Sequence, residues 1–415
     1  MTRGYEFDVI VVGAGHAGLA TSHALTRAGV EHVVLERGRI GERWLSERWD
    51  SLRLLTPNWM SRLPGWRYVG PDPDGFMSAR ELAATLEDYA RSFAAPVVQA
   101  TVVAVDLDPA GGFVVVTDRG TWRSERVVVA TGYNHHAAAP RSAAGLPSYV
   151  AQVDPLRYKG PRSVEPGGVL VVGASSTGVQ IARELRASGR DVVLAAGRHT
   201  RLPRRHRGRD IMGWLDDLGT FDRTVDEGDA QALRSEPSLQ LAGGADDLDL
   251  AVLQPLGVQV TGRFLGAYGS AVLFADDLAA NVAEADRRMR RVLDRIDAVA
   301  GMRGTAESDI PPVDVSSAPP CLDLLARGIR TVIWATGFRG SWPWLHLPVV
   351  VDGHIAQYRG RTAVPGLYTV GQRFQHRRGS GLVDGVRHDV TDVVGHIVDA
   401  RTNRVVAPAE TSRTP

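Results

Sequence analysis

The chain has 415 residues, a length that favours two domains over one large core. Its 48 basic and 47 acidic side chains nearly cancel, so the net charge favours neither nucleic acid nor an anionic membrane as a partner. Cys321 is the single cysteine, which excludes a disulfide framework, a CxxC redox pair and a thiolate metal cluster. No apolar stretch reaches the length of a membrane span and no leader pattern precedes the first strand, so we expect a cytoplasmic protein. His135-His136 has no Cys, Asp or Glu partner at ligand spacing, so we expect no metal site.

The first predicted element is a nucleotide-binding β-α-β unit. An apolar run over 8–12 leads into Gly13, Gly15 and Gly18 at the spacing G-x-G-x-x-G, and Glu36 ends the next apolar run. The three glycines permit a tight turn, close approach of a pyrophosphate and close packing of the helix, whose N-terminus attracts the phosphates. Glu36 takes the ribose hydroxyls and repels a 2′-phosphate, so the unit predicts FAD or NAD; a glycine turn without a ligand is the alternative.

The next segment, 41–75, is irregular and rich in tryptophan and proline. Ser78 then caps a predicted helix over 79–93. Short strands are predicted over 97–105, 113–117 and 126–130. The last of them ends in Ala-Thr131-Gly132, and a stretch rich in proline, glycine and serine over 139–168 predicts a crossing into a second domain.

A second fingerprint opens that domain. An apolar run leads into Gly173, Ser175 and Gly178, and a helix over 179–188 and a strand over 191–194 are predicted to follow. Serine replaces the middle glycine, and its small side chain still admits a pyrophosphate. Two dinucleotide sites in one chain favour electron transfer between them, and the lack of a cysteine pair excludes the disulfide reductases.

The second site differs from the first in the residue that selects the ribose. No acid follows its second strand; the chain reads Arg198-His-Thr200-Arg201 instead. Arginine accommodates a 2′-phosphate through charge-assisted hydrogen bonds, so we assign NADPH here, with Arg198 first and Thr200 or Arg201 in support. A solvated basic loop is the alternative. The predicted NADPH contacts are Gly173, Ser175, Ser176, Thr177, Gly178, Arg198, Thr200, Arg201, Thr336 and Gly337.

The rest of the chain returns to the first domain. Strands around 258–274 and a charged helix over 276–300 precede a second apolar strand that ends in Ala-Thr336-Gly337. Because both Ala-Thr-Gly pieces mark a passage between domains, we expect an α/β protein with two Rossmann-like domains, the NADPH domain being inserted into a discontinuous FAD domain. The expected boundaries are 1–155 with 331–405 for the FAD domain, 165–330 for the NADPH domain and 406–415 for a flexible tail.

The C-terminal segment supports a flavin in the first site. A buried strand over 367–371 is followed by Gln372, which is placed to bind the ribityl chain, and Gly379–Gly381 is expected to open a helix near Leu382. The N-terminus of that helix would stabilise an anionic reduced flavin; a plain helix cap is the alternative. The predicted FAD contacts are Gly13, Gly15, His16, Gly18, Glu36, Arg37, Trp44, Thr131, Gly132, Gly371, Gln372, Gly381 and Leu382.

Together these motifs resemble the class B flavin-dependent monooxygenases, which include the flavin-containing monooxygenases and the Baeyer–Villiger enzymes. The similarity extends to about residue 400 and rests on both fingerprints, both Ala-Thr-Gly pieces, Glu36 with Gly41-x-x-Trp44, Trp49-Asp-Ser-Leu-Arg-Leu and Gly366-Leu-Tyr-x-x-Gly371. The resemblance implies bound FAD, NADPH as reductant, and O2, which forms a C4a-hydroperoxide that oxygenates a small molecule. The family's F-x-G-x-x-x-H-x-x-x-Y/W motif is altered here, with Ser148, Val150 and Asp154 at its first three fixed positions and Tyr158 at the last.

The resemblance also points to a substrate pocket near the irregular segment. Asn58 is the candidate for the family's asparagine beside the flavin, with a turn residue as the alternative. Trp59 and Trp66 are candidates for pocket lining, with core or lid packing as the alternative. His376 lies in a charged loop that forms either the pocket rim or a solvated surface.

These features leave three hypotheses for the function. The first is an NADPH-dependent FAD monooxygenase, for which N- or S-oxidation is favoured over Baeyer–Villiger insertion. The second is an FAD-dependent reductase or dehydrogenase without oxygen insertion, which the altered linker motif favours. The third is a non-catalytic flavoprotein that senses NADPH. All three predict small-molecule ligands and no nucleic-acid or membrane partner, and the sequence does not indicate an oligomeric state.

Overall fold

The computed structural model describes residues 5–225, 236–301 and 310–406. Its helices are α1 (His16–Arg27), α2 (Glu42–Ser46), α3 (Ala79–Ser92), α4 (Ser176–Ala187), α5 (Ile211–Asp217), α6 (Leu250–Leu253), α7 (Leu278–Val299) and α8 (Val386–Val406). Strands form two large sheets and several smaller ones of two or three strands. They are β1 (Tyr5–Val12), β2 (His32–Glu36), β3 (Arg62–Leu63), β4 (Trp66–Arg67), β5 (Val97–Gln99), β6 (Val102–Leu107), β7 (Phe113–Thr117), β8 (Gly120–Val129), β9 (His136–Ala137), β10 (Ala151–Val153), β11 (Gly168–Val172), β12 (Val192–Ala195), β13 (Thr200–Arg201), β14 (Arg205–His206), β15 (Arg209–Asp210), β16 (Leu239–Gln240), β17 (Gln259–Thr261), β18 (Phe264–Tyr268), β19 (Ala271–Phe274), β20 (Cys321–Asp323), β21 (Ile329–Trp334), β22 (Phe338–Arg339), β23 (Val350–Val351), β24 (His354–Ile355) and β25 (Leu367–Thr369).

The first sheet combines strands from both ends of the chain. Its order is β5-β2-β1-β8-β7-β6, and β25 pairs with β8. Strand β1 runs parallel to β2 and β8, and β25 also runs parallel to β8. Because β25 follows the whole second sheet in the chain, the first domain is discontinuous, as the sequence predicted.

The second sheet is parallel, with the order β10-β21-β11-β12-β17. Two of its strands fall on the other side of the boundaries expected from the sequence. Strand β10 lies before residue 155 and most of β21 lies after residue 331, yet both pair in this sheet. The crossings between the domains therefore follow the ends of β8 and β21, where the two Ala-Thr-Gly pieces lie. Apart from its first residue, the predicted tail over 406–415 lies outside the described residues.

A local sequence signal explains where α3 begins. At the start of α3, Ser78 Oγ accepts the backbone N–H of Glu81 at 3.2 Å, and the Glu81 carboxylate accepts the N–H of Ser78 at 2.7 Å. This reciprocal capping satisfies two N–H groups that the helix leaves open, so the predicted start at 79 is confirmed.

The last helix begins later than expected. It starts at Val386, because Gly379 donates its N–H to Phe221 O at 2.9 Å and Ser380 Oγ accepts the N–H of Arg377, also at 2.9 Å. These bonds hold the preceding residues in turns. The expectation that Gly379–Gly381 opens the helix near Leu382 is therefore wrong.

The hydrophobic core of each domain lies on both faces of its sheet. Strands β1 and β11 read as continuous apolar runs because helices or strands cover both faces of a parallel sheet. A separate cluster joins the domains, where Met60 of the irregular segment packs with residues of α5 and α7. The irregular segment thus connects the two domains at one side of the cleft.

Candidate dinucleotide-binding active site

The first glycine fingerprint forms a cradle between β1 and α1. Gly13 has φ +106°, and a Cβ there would lie 2.8 Å from Ala130 O; a Cβ at Gly18 would lie 1.8 Å from Gly13 O. Around Gly15, by contrast, no described atom lies within 4 Å of an added Cβ. The cradle is closed where the helix must pack and open where a pyrophosphate approaches, so it fits a dinucleotide.

Glu36 lies at the carboxyl end of β2, beside this cradle. Its carboxylate accepts the backbone N–H of Ala14 at 2.7 Å and that of Gly38 at 2.9 Å. The side chain is thereby fixed at the edge where a ribose would lie. Burial lowers the pKa of the His16 imidazole to about 4, so the ring is neutral and adds no positive charge to the loop.

The other predicted FAD contacts cluster around α2. Arg43 donates to Thr131 O at 3.3 Å, which brings Thr131 and Gly132 beside the helix that carries Trp44. The Thr131 hydroxyl also accepts the indole N–H of Trp342 at 3.0 Å. Arg37 is exposed and pairs with Glu47 at 3.1 Å.

The C-terminal residues approach the same place from β25. Gly371 has φ +82°, and a Cβ there would lie 2.7 Å from the Cβ of Ala17, so only glycine allows this approach to α1. Gln372 is buried and donates to Thr369 Oγ1 at 3.1 Å. A Cβ added at Gly381 would lie 3.2 Å from the Tyr133 hydroxyl, and Leu382 follows Gly381 in the turn before α8.

The second fingerprint repeats the first. A Cβ at Gly173 would lie 2.3 Å from Ala335 O, and one at Gly178 would lie 1.8 Å from Gly173 O. Ser175 precedes α4 without capping it through its side chain, so the N–H groups of that helix end remain directed to the loop. This cradle fits a second dinucleotide, with Ser175 in place of the open glycine.

A cavity of about 720 Å³ connects the second cradle with the C-terminal part of the first domain. Of the predicted residues, it is lined by Gly173, Ser175, Ser176, Thr177, Arg198, Thr336, Gly337 and Gln372. One wall therefore carries the nucleotide loop of the second domain, and another carries the residue assigned to the flavin. A nicotinamide and a flavin bound at these two walls would share one cleft.

The two arginines that follow β12 have different surroundings. Arg198 is exposed and lines the cavity. The Arg201 side chain is only 2% exposed and forms ion pairs with Asp249 at 2.7 Å and Asp286 at 3.0 Å. Arg201 is thus unavailable to a 2′-phosphate, contrary to the expectation from the sequence. Thr200 lies in β13, which pairs with Leu239 and Gln240.

Arg263 is a cavity residue that the sequence reasoning missed. It follows β17, the neighbour of β12, and its side chain lies against Gly197. In the sequence, Arg263 comes just after an apolar run that predicts a strand. This run alone does not predict a cavity residue, because the pairing of β17 with β12 is not visible in the sequence.

The candidates for the substrate pocket lie elsewhere. The Asn58 amide donates to Asp72 O and accepts the N–H of Met77, both at 2.9 Å, which supports the alternative of a turn residue. Trp59 packs in the cluster between the domains and Trp66 packs on the core of the first domain. His376 is buried 3.2 Å from Asp392. None of these four side chains is among those that line the cavity.

Asp154 replaces the histidine of the family's linker motif. Its two carboxylate oxygens accept the N–H groups of Ala137 and Leu156, each at 2.8 Å. The carboxylate thereby joins β9 to the turn after β10, and the two residues of the longer-range contact, Ala137 and Asp154, are 17 positions apart in the chain. Tyr158, the surviving aromatic of the motif, is fully buried and donates to Glu184 at 2.7 Å.

Comparisons with known proteins identify relatives of this chain. Residues 10–216 match the family model of the pyridine nucleotide-disulphide oxidoreductases. An oxidoreductase of Geobacillus kaustophilus named as uncharacterized and CzcO-like is 31% identical over 397 residues, 94% of this chain and 99% of that protein. The probable indole-3-pyruvate monooxygenase YUCCA1 of Arabidopsis thaliana is 34% identical over 42% of this chain and 44% of its own length.

Among solved structures, a flavin-containing monooxygenase from Stenotrophomonas maltophilia shares the fold, with a TM-score of 0.67 and 20% identity over 96% of this chain and 99% of that one. The chain belongs to the family of the CzcO-like oxidoreductases, and it has the fold of the flavin-containing monooxygenases. The solved OTEMO complex with FAD and NADP also shares the fold, with a TM-score of 0.53 and 16% identity over 97% of this chain and 86% of that one. Within the described residues, no helix is long and apolar enough to cross a membrane, and no three His, Cys, Asp or Glu side chains are grouped to hold a metal ion.

Proposed function

We propose that the enzyme is an NADPH-dependent monooxygenase that transfers one oxygen atom of O2 to the nitrogen or sulfur of a small molecule. In the balanced reaction, NADPH, O2, a proton and the substrate give NADP+, water and the oxygenated product. The cavity that joins the second nucleotide loop to Gln372 carries this proposal, because a nicotinamide bound at one wall and a flavin bound at the other would share one cleft. The name of the plant relative, a monooxygenase, supports it.

The residues of the chain have binding and orienting roles in this proposal. Gly13, Gly15 and Gly18 with α1 hold the FAD diphosphate, and Glu36 holds its adenosine ribose. The second cradle holds the NADPH diphosphate, and Arg198 contacts the 2′-phosphate. A bound FAD would supply the redox and oxygen chemistry, so no acid–base pair of side chains is required among the described residues that line the cleft.

A reductase or dehydrogenase without oxygen insertion is the second candidate. The observation that favours it is Asp154, which stands where the oxygenating family has a histidine. Aspartate keeps the hydrogen bonds across the linker, but it cannot become a cation there.

Isotope labelling distinguishes the candidates. The FAD-loaded protein is incubated with NADPH and 18O2 in the presence of a panel of tertiary amines and thioethers, and products are analysed by mass spectrometry together with the hydrogen peroxide released. We expect an N-oxide or S-oxide that carries one 18O atom, with little peroxide per NADPH consumed. Stoichiometric peroxide without labelled product, and reduction of added quinones or dyes, would establish the reductase instead.

A further inference from the structure

The end of the cavity at β12 carries a second basic side chain, Arg263. Strand β17 runs parallel to β12 with Thr261 beside Ala195, and Ala196 donates its N–H to Thr261 O at 2.9 Å. The residues that follow the two strands therefore emerge together at the carboxyl edge of the sheet. Nucleotides bind at this edge in open parallel sheets.

The stem of Arg263 lies against the residue just before Arg198. A Cβ added at Gly197 would lie 3.5 Å from both Cγ and Cδ of Arg263, an ordinary contact distance. Arg198 and Arg263 both line the cavity, although 65 positions separate them in the sequence. The fold thus brings a second arginine to the place where the sequence alone suggested one.

An acidic neighbour orients Arg263. Asp277 accepts the backbone N–H of Arg263 at 3.0 Å and its side-chain Nε–H at 3.3 Å. Holding Nε in this way fixes the plane of the guanidinium group. Its Nη groups then remain as donors, in the forked geometry that suits a phosphate.

We propose that Arg263 is a specificity residue that binds the 2′-phosphate of NADPH together with Arg198, with Asp277 as its positioning partner. A 2′-phosphate carries close to two negative charges at neutral pH, so one arginine neutralises only part of it. Arg263 takes the place on the phosphate that the sequence reasoning gave to Arg201, which is buried in its own ion pairs. The inference concerns cofactor selection and holds whether or not the enzyme inserts oxygen.

The test compares ligands with and without that phosphate. FAD-loaded wild-type and variant proteins are titrated calorimetrically with 2′,5′-ADP and with ADP. We expect Arg263→Ala to weaken 2′,5′-ADP binding by roughly 10- to 100-fold, since a hydrogen-bonded charge pair is lost, while ADP binding changes less than about 3-fold. Arg263→Lys keeps the charge without the fork and should fall between the two.

Arg327→Ala is the matched control, because Arg327 is a surface arginine of the same domain that pairs with Asp191 at 2.9 Å. It should leave both affinities unchanged, and retention of FAD and of ADP binding shows that each variant is folded. Equal weakening of both ligands by Arg263→Ala would mean that the side chain only supports the adenosine, and would overturn the proposal. An unchanged affinity for 2′,5′-ADP would overturn it too. If Arg263→Ala does not hold FAD, the ratio of the two affinities in Arg263→Lys decides.

Discussion

At the scale of single residues, side chains of one type have opposite roles according to where the fold places them. Arg198 is exposed in the cavity, whereas Arg201, three residues later, is buried between Asp249 and Asp286. A desolvated arginine is stable only with such partners, and once paired it cannot serve a ligand. The carboxylates differ in the same way, since Glu36 is fixed by two N–H groups while Asp389 is buried near another acid.

Asp389 makes the stability of the protein depend on pH. Burial raises the pKa of its carboxyl to about 7, and nearby Asp392 adds to this, while Ser380 and Arg377 oppose it. Because the unfolded group ionises near pH 4, the folded state binds one more proton between about pH 4 and 7, so stability falls as the pH rises through this window. We expect Asp389→Asn to remove this pH-dependent loss. At pH 8 the free energy of unfolding of the variant should exceed that of the wild type by up to about 4 kcal/mol, because one pKa unit corresponds to about 1.4 kcal/mol.

Urea unfolding of the wild type and of Asp389→Asn from pH 5 to pH 8 measures the effect. Asp399→Asn is the control, because Asp399 is exposed on the same helix. The control should follow the wild-type profile. Parallel profiles for all three proteins would show that Asp389 does not titrate in this range.

At the scale of elements, the linker depends on a carboxylate where the family has an imidazole. Asp154 accepts the N–H groups of Ala137 and Leu156, so its role is to hold β9 beside the turn after β10. This contact needs acceptors, which aspartate supplies in both oxygens.

We expect Asp154→Ala to lower the free energy of unfolding by roughly 1–3 kcal/mol, because two N–H groups lose their acceptor. Urea denaturation at pH 7 measures it. Asp50→Ala is the control, since the Asp50 side chain is 71% exposed and its pair with Arg80 is 3.7 Å long. A loss no larger than that of the control would mean that water replaces the carboxylate at no cost.

At the scale of the whole molecule, contacts between the domains shape the cleft. Arg204 of the second domain donates to Leu55 O of the first at 2.9 Å, lies over the ring of Phe76 at 4.4 Å and pairs with Asp210 at 2.5 Å. On the other side, Val225 donates to His376 O at 2.7 Å. The domains are thus joined by side-chain and backbone contacts besides the linkers.

Replacing the buried Arg204 by Met should destabilise the protein by about 3 kcal/mol, because the half-buried carboxylate of Asp210 loses its cation and Leu55 O loses its donor. Thermal and urea unfolding, followed by circular dichroism and by release of flavin fluorescence, report on the fold and on the first domain separately. Arg287→Met, which breaks an exposed pair with Glu284, should cost less than about 1 kcal/mol. A similar small loss for both variants would show that Arg204 does not hold the domains together.

The sequence by itself determined the two glycine cradles that fit dinucleotides and the discontinuous arrangement of the first domain. These follow from local spacing, because a glycine turn, an apolar strand and a following helix lie within about 30 residues of each other. Gly13 and Gly173 illustrate this, since each has φ +106° and closes against the backbone that follows a neighbouring strand. The start of α3 at its Ser78 cap is local in the same sense.

Only the tertiary structure decided which side chains face the cleft. Asn58, Trp59, Trp66 and His376, the candidates for the substrate pocket, are not among the residues that line this cavity. The pairing of β17 with β12 placed Arg263 in the cavity, and a contact with Phe221 delayed the start of α8. These outcomes depend on contacts between residues that are far apart in the chain. Sheet order and domain packing bring such residues together, and short-range sequence patterns do not encode either of them.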